Sequence, residues 1–164
     1  MIIRSDVMTR KTTFLKAIDQ LYETAHLLNQ YENIPRKYGT DDELYMVEAH
    51  MINLIGVNKV MNISEIAKQM NRTKSAASQK ITRLVQKGLV VKNKSTHSSR
   101  EVSIELTDKG EKVFQYHQAL DSNVYNTYLE KLETYDTKDF ENIEHFLNMI
   151  SENLNYLIND TRTH

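Results

Sequence analysis

The sequence has no cysteine, only one proline and only four glycines in 164 residues. Without cysteine the chain can form no disulfide, offer no thiolate to a metal and sense no oxidant through a thiol. The scarcity of proline and glycine favours long helices joined by few irregular loops. No apolar run reaches the length of about 18 residues that a membrane span requires. The first residues also lack the apolar segment of a signal peptide, so we expect a cytoplasmic protein.

The charges of the chain are segregated, although its net charge is only −1. Residues 119–160 are predominantly acidic, whereas residues 71–100 contain no Asp or Glu. A basic segment of this kind is expected in a protein that binds a polyanion, although a solvated surface is the plainer alternative. The basic residues of this segment are Arg72, Lys74, Lys80, Arg83, Lys87, Lys92, Lys94 and Arg100.

The first part of the chain predicts two amphipathic helices. An apolar stripe at steps of four and three, from Phe14 to Leu28, predicts a helix over residues 9–31. We predict that the second helix begins at Thr40, because Glu43 follows three residues later and completes a capping box. Leu44 would then belong to the buried side of that helix.

Residues 62–88 predict a helix-turn-helix. Asn62 and Glu65 form a capping box that opens a short helix ending at Gln69. Thr73 caps the next helix, and Gly88 follows its end, where a left-handed residue is favoured. Two helices joined by a short polar turn are typical of DNA-binding proteins.

A β-hairpin is predicted directly after the helix-turn-helix. Residues 89–91 are apolar and include two β-branched valines, and residues 101–106 alternate between polar and apolar side chains. The polar segment between them, residues 92–100, would form the hairpin tip. The predicted fold is therefore mainly α with a small β-hairpin wing, and residues 37–110 are predicted to be a winged helix-turn-helix domain.

Two further helices are predicted after Gly110, the last from about Lys138. Similar apolar stripes on the first and last helices favour a homodimer, with packing inside one chain as the alternative. We assign residues 1–36 and 111–164 to a helical dimerisation region. The last helix carries apolar residues at steps of three and four, which is a heptad pattern: Phe140, Ile143, Leu147, Ile150, Leu154 and Leu157.

The order of these elements resembles the MarR family of bacterial regulators over nearly the whole chain. The segments that carry the resemblance are ISEIAKQM (63–70), SAASQKITRLVQKGLV (75–90) and REVSIELTDKG (100–110). The resemblance implies a dimer whose first and last helices interlock and which binds a palindromic DNA site, usually as a repressor. Many members of the family carry Asp and Arg just before the wing arginine, where this chain has Ser98 and Ser99.

The helix that begins at Lys74 is predicted to enter the major groove of double-stranded DNA. Its side chains of the right type for base edges are Ser75, Ser78 and Gln79, of which Gln79 suits adenine. The residues predicted to contact phosphates are Thr73, Lys74, Lys80 and Arg83. Lys87 is predicted to be solvated. In the wing, the family resemblance and the affinity of narrow minor grooves for arginine favour Arg100, and Lys94 and His97 are predicted to contact the DNA backbone.

Four residues are candidate ligands of an effector metal: Glu32, His50, His117 and Asp121. All are of types that bind zinc, and His117 and Asp121 lie four residues apart on one helix face. Their positions also resemble those used by the zinc-uptake repressors of the MarR family, with Asp121 in place of a second histidine. A second zinc site of those repressors uses a cysteine, which this chain lacks.

More than one effector suits these four residues. Zinc leads because the donors are mixed imidazole and carboxylate, and manganese and iron are alternative metals. The four residues could instead make structural polar contacts, and the related repressors of fatty-acid synthesis favour an organic effector such as an acyl chain or an aromatic acid.

No catalytic motif is present. The sequence has no glycine-rich phosphate loop, no G-x-S-x-G and no H-E-x-x-H. We therefore predict that the protein is not an enzyme. Besides a DNA-binding regulator and an enzyme, a third class of function is a protein-interaction module that uses the helical region. Such a module would show no salt-dependent affinity for DNA.

Overall fold

The computed structural model describes residues 3–94 and 102–161. It is mainly helical with short antiparallel strands, which confirms the predicted fold class. The chain divides into two compact units, Met1–Leu120 and Asp121–His164. The elements in chain order are α1 (Ile3–Glu32), β1 (Arg36–Lys37), β2 (Glu43–Leu44), α2 (Met46–Asn58), β3 (Met61–Asn62), α3 (Ile63–Gln69), α4 (Lys74–Gln86), β4 (Val90–Lys94), β5 (Val102–Leu106), α5 (Asp108–Lys131) and α6 (Thr137–Asp160).

The wing is part of a three-stranded sheet in the order β3-β5-β4, with all pairs antiparallel. Strands β4 and β5 pair from Val90 opposite Leu106 to Lys94 opposite Val102. Strand β3 adds Met61 opposite Ile104, and this pairing attaches the wing to the start of α3.

The core of the first unit lies beneath the helix-turn-helix. Helix α4 buries Ala77, Ile81 and Leu84, which recur at steps of four and three and so lie on one face. These side chains belong to one apolar cluster with Ile52 and Ile66, from α2 and α3. The opposite face of α4 is therefore left for solvent or a ligand.

The predicted start of the second helix was wrong. Helix α2 begins at Met46, and the backbone N–H of Tyr45 donates to Glu48 Oε2 at 3.1 Å. Glu43 and Leu44 instead form β2, which pairs with β1. An acidic residue follows three positions after both Thr40 and Tyr45, and the β1–β2 pairing decides between the two capping signals. Leu44 is fully buried as predicted, but it belongs to strand β2 and not to helix α2.

Helix α6, in the second unit, has no buried residue. It begins with a capping box in which Asp136 Oδ1 accepts from Asp139 N at 3.0 Å. Five of its six heptad side chains are exposed, from 37% for Phe140 to 48% for Leu157, and Ile150 is half-buried. In the described part of the chain, no helix combines the length and apolar character that a membrane crossing needs.

Candidate nucleic-acid interface

The turn between α3 and α4 holds the two helices in a fixed geometry. As predicted, Asn62 caps α3, since its Oδ1 accepts from Glu65 N at 2.9 Å and Glu65 Oε2 accepts from Asn62 N at 2.8 Å. Asn71 adopts a left-handed conformation (φ 49°), which reverses the chain. The N–H of Arg72 then donates to the Ala67 carbonyl at 2.9 Å, so the turn is closed by backbone hydrogen bonds.

The first turn of α4 is capped as predicted. Thr73 Oγ1 accepts from Ala76 N at 3.2 Å. This cap leaves the other backbone N–H groups of the first turn without partners inside the helix, and such a helix end favours phosphate groups. Thr73, Lys74 and Ser75 are all exposed there.

The exposed face of α4 is polar and carries no acid. Gln79 and Arg83 are exposed, and Ser78 and Lys80 are half-buried. The Lys80 ammonium lies 5.7 Å from the centre of the Tyr45 ring, which orients this side chain next to the start of α2. A shallow depression runs along this face and is lined by Ser75, Ser78, Gln79, Thr82, Arg83 and Gln86.

Two of these lining residues, Thr82 and Gln86, are absent from the sequence-based assignment. Thr82 follows Ser78 by four residues and Gln79 by three, and Gln86 follows Thr82 by four and Arg83 by three. This helical spacing is the signal that would have included them. Thr82 Oγ1 donates to the Ser78 carbonyl at 2.9 Å, and Lys92 Nζ lies 3.5 Å from Thr82 Oγ1. The wing strand β4 therefore brings one further cation to the end of this surface.

The wing is described only at its base. Asn93 Nδ2 donates to Glu105 Oε1 at 3.0 Å across the two strands. The backbone of Lys94 ends β4 opposite Val102. The Lys94 side chain, His97 and Arg100 lie outside the described residues, so their predicted DNA contacts stay predictions.

Two of the four candidate metal ligands lie side by side. The rings of His50 and His117 have their centres 5.2 Å apart, and the planes are inclined at 62°. His117 is 2% exposed, whereas His50 is exposed. Tyr38 stacks on the His117 ring with a centre-to-centre distance of 5.7 Å. This pair is therefore packed into an aromatic cluster.

The other two candidates are placed differently. Glu32 lines a pocket of roughly 560 Å³ whose lining includes no histidine, and Asp121 begins the second unit. Among residues 3–94 and 102–161, no three His, Asp or Glu side chains form a group able to hold a metal ion. The pocket lies between the end of α1, the start of α2 and α4, and its charged lining residues are Glu32, Arg72, Lys80 and Arg83.

The comparisons with known proteins agree with this architecture. Residues 44–102, which extend from β2 to the first residue of β5, match the MarR family. Residues 44–102 are therefore a MarR-family domain, and the proteins of this family are DNA-binding transcriptional regulators rather than enzymes.

Three bacterial relatives illustrate the likeness. The chain is 25% identical over 115 residues to the HTH-type transcriptional regulator YhjH of Bacillus subtilis, covering 70% of this chain and 66% of that protein. It is 25% identical over 144 residues to the transcriptional regulator AdcR of Streptococcus pyogenes, covering 87% of this chain and 97% of AdcR. The structure of Lactococcus lactis ZitR in complex with DNA has a TM-score of 0.68 at 22% identity, covering 85% of this chain and 97% of that one. A further ZitR structure (TM-score 0.61, 21% identity, 90% and 99% covered) is that of a zinc-responsive MarR family member.

Proposed function

We propose that the chain is a homodimeric repressor that recognises a palindromic operator in double-stranded DNA. The observation that carries the proposal is the division of α4 into two faces. One face is buried through Ala77, Ile81 and Leu84, and the other is exposed, polar and free of acidic residues. A capped helix with such a face suits the major groove. Because its ligand is DNA, we expect the protein to work in the cytoplasm.

We assign different roles to the two ends of this face. The short side chains Ser75 and Ser78 and the amide of Gln79 suit hydrogen bonds to base edges. The phosphate contacts would fix the register of the helix on DNA, and they are assigned to Thr73, Lys74, Lys80 and Arg83. In the wing, Arg100 is assigned to the minor groove, and Lys94 and His97 to the backbone.

The salt dependence of DNA binding tests this assignment. Four phosphate contacts in each of two subunits predict a slope of log K against log salt of about −7. We would measure the affinity for a labelled duplex by fluorescence anisotropy at several salt concentrations. Lys80→Met should make the slope less steep by about 2, because one phosphate contact is lost in each subunit. Lys131→Met, at the exposed end of α5, removes the same charge and should leave the slope unchanged. A slope near zero for the unmodified protein would exclude DNA binding by this surface.

The homodimer is proposed from the apolar residues of α1 and α6. Phe14 and Leu28 on α1 are 46% and 53% exposed, and the heptad of α6 is similarly open. Apolar stripes of this length usually pack against a partner helix. A partner subunit would cover them, and residues 1–36 and 111–164 would then form the dimerisation region.

Sedimentation of α6 variants tests the dimer. Leu147→Glu places a charge in the middle of the heptad and should produce monomers at micromolar concentration. His145→Glu adds a similar charge on the opposite face of the same helix and should leave the dimer intact. A monomeric unmodified protein would contradict the proposal.

We propose zinc as the effector, held by Glu32, His50, His117 and Asp121. The donor types suit zinc, the two imidazoles lie next to each other, and the relative ZitR is zinc-responsive. A centre with four protein ligands requires Glu32 and Asp121 to approach this pair, because the described residues contain no preformed group of three.

A zinc titration of chelator-treated protein, against a competing chromogenic chelator, tests the effector. His50→Ala is the sharper variant, since His50 is exposed and its loss removes little packing. It should abolish tight zinc binding, whereas His145→Ala on α6 should retain it. His117→Ala should also abolish binding, with circular dichroism checking that the fold survives. Equal zinc affinity in the His50 variant and the unmodified protein would contradict the assignment.

A second candidate effector, an organic acid, is favoured by the pocket beside α4. Its volume of roughly 560 Å³ is in the range of small-molecule sites. Arg72, Lys80 and Arg83 give it positive charge, and Tyr45 and Met51 give it apolar surface. Calorimetric titration with salicylate and decanoate tests this candidate. Glu32→Gln separates the two effectors, because it should weaken zinc binding but strengthen the binding of an anion.

A further inference from the structure

The C-terminal end of α4 is held by an ion pair that crosses to α2. Lys87 follows directly after α4, and its Nζ donates to the Glu43 carbonyl at 2.8 Å and to Glu48 Oε2 at 3.2 Å. The Glu48 side chain is 1% exposed and that of Lys87 is 29% exposed. Lys87 is therefore not the solvated cation that the sequence predicts.

Glu48 depends on this partner. Its Oε2 also accepts the hydrogen bond from Tyr45 N, which caps α2. An ionised carboxylate removed from water requires compensation by charge as well as by hydrogen bonds. Lys87 supplies that charge, and the contact joins residues 39 positions apart in the sequence.

A second set of contacts also holds this end of α4. Lys109 Nζ donates to the Lys87 carbonyl at 2.8 Å and pairs with Asp42 at 2.7 Å. Thr107 Oγ1 donates to the Gly88 carbonyl at 2.7 Å. The end of α4 is thus attached both to the segment that precedes α2 and to the start of α5.

We infer that Lys87 and Glu48 are positioning residues that set the angle of α4 in the major groove without contacting DNA. This inference rests on the proposed DNA-binding function. Helix α4 has 13 residues and is therefore about 20 Å long. A rotation of about 10° at its C-terminal end displaces its first turn by about 3 Å, the length of one hydrogen bond to a base. Contacts made by Ser75 and Gln79 are lost by such a displacement, whereas flexible phosphate contacts adapt to it.

DNA binding by Lys87→Met tests the inference. The probes are a duplex of about 30 base pairs selected by the unmodified protein from a random pool, which spans two half-sites, and a scrambled duplex of equal length. Lys87→Met should weaken binding to the selected duplex at least tenfold. Its affinity for the scrambled duplex and its salt slope should stay unchanged. Lys80→Met, on α4 itself, is the matched lysine control, and its salt slope should become less steep.

Glu48→Gln separates positioning from a direct contact, because Glu48 is buried and is joined to the end of α4 through Lys87. It should weaken binding to the selected duplex in the same direction, and the double variant with Lys87→Met should be no weaker than Lys87→Met alone. If Lys87→Met lowers the folded fraction, the double variant Glu48→Met with Lys87→Met is used instead. It removes both charges together, and replacing a buried ion pair by apolar side chains usually preserves the fold.

The outcomes are distinct. A salt slope that is less steep by about 2 in Lys87→Met would identify a contact between Lys87 and a phosphate and would overturn the inference. Unchanged affinity of the folded variants for the selected duplex would also overturn it, and would leave DNA binding by the protein intact. If the unmodified protein selects no sequence from the pool, the proposed function itself fails.

Discussion

Replacing Gly110 by alanine should destabilise the protein, although alanine is the better helix former. Gly110 is buried in the first turn of α5. A Cβ placed there would lie 2.0 Å from the carbonyl oxygen of Leu89 and 3.0 Å from its carbonyl carbon. That oxygen also accepts the hydrogen bond from Thr107 N at 3.1 Å. The obstacle is backbone, so it cannot rotate away as a side chain can.

The size of the effect follows from three contributions. The two chain segments must separate by about 1 Å, and because the approach of 2.0 Å is so close, the cost is about 2–3 kcal/mol, in the upper part of the usual range for overpacking. Weakening the bond between Thr107 and Leu89 costs about 1 kcal/mol more. The better helix propensity of alanine returns about 1 kcal/mol. The net loss is about 2–3 kcal/mol, or a fall in Tm of about 5–10 °C for a chain of this length.

Gly88→Ala is the matched control. Gly88 has φ +69°, and a Cβ there meets nothing within 4 Å, so only the left-handed conformation is penalised. This costs about 1 kcal/mol and lowers Tm by about 2–4 °C. Thermal unfolding of both variants should be compared at one protein concentration, because dimerisation shifts Tm. A Gly110→Ala protein at least as stable as Gly88→Ala would refute the steric argument.

Three further predictions concern single side chains. Asn62→Ala removes the cap of α3 and should cost about 1 kcal/mol in urea unfolding, while Asn142→Ala on α6 should cost less. The hydrogen bond from Lys109 lowers the pKa of Asp42, and its charge reinforces this against burial. The pair therefore stabilises the fold above the ordinary aspartate pKa and loses this contribution as the pH falls through the lowered value, so Asp42→Asn should be less stable at neutral pH and should lose less stability on acidification. Gln79→Ala should relax the preference for one base pair by about 1–3 kcal/mol without changing the salt slope, which binding to a set of single-base variants of the selected duplex would measure.

The elements that the sequence predicts correctly are those with local signals. Thr73 and Asn62 each cap a helix through hydrogen bonds to residues three positions away, so a short stretch of sequence contains the whole interaction. The buried face of α4 likewise repeats at helical spacing. Strands β1, β2 and β3 have two residues each, which is too short for an alternating pattern to appear. They form because distant segments pair with them, and Leu44 was assigned to a helix for that reason.

The same distinction separates the two candidate sites. The proposed DNA-binding face lies on one helix, so the spacing of Ser75 and Gln79 places both on that face before any tertiary contact is known. An effector site is assembled from several elements, and its geometry depends on how they pack. His50 and His117 are 67 positions apart and still meet, whereas Glu32 lines a pocket with Arg72 and other cations. A donor set inferred from residue types therefore specifies which ligands are chemically suitable. Whether they meet is decided by contacts such as the stacking of Tyr38 on His117, which no local pattern encodes.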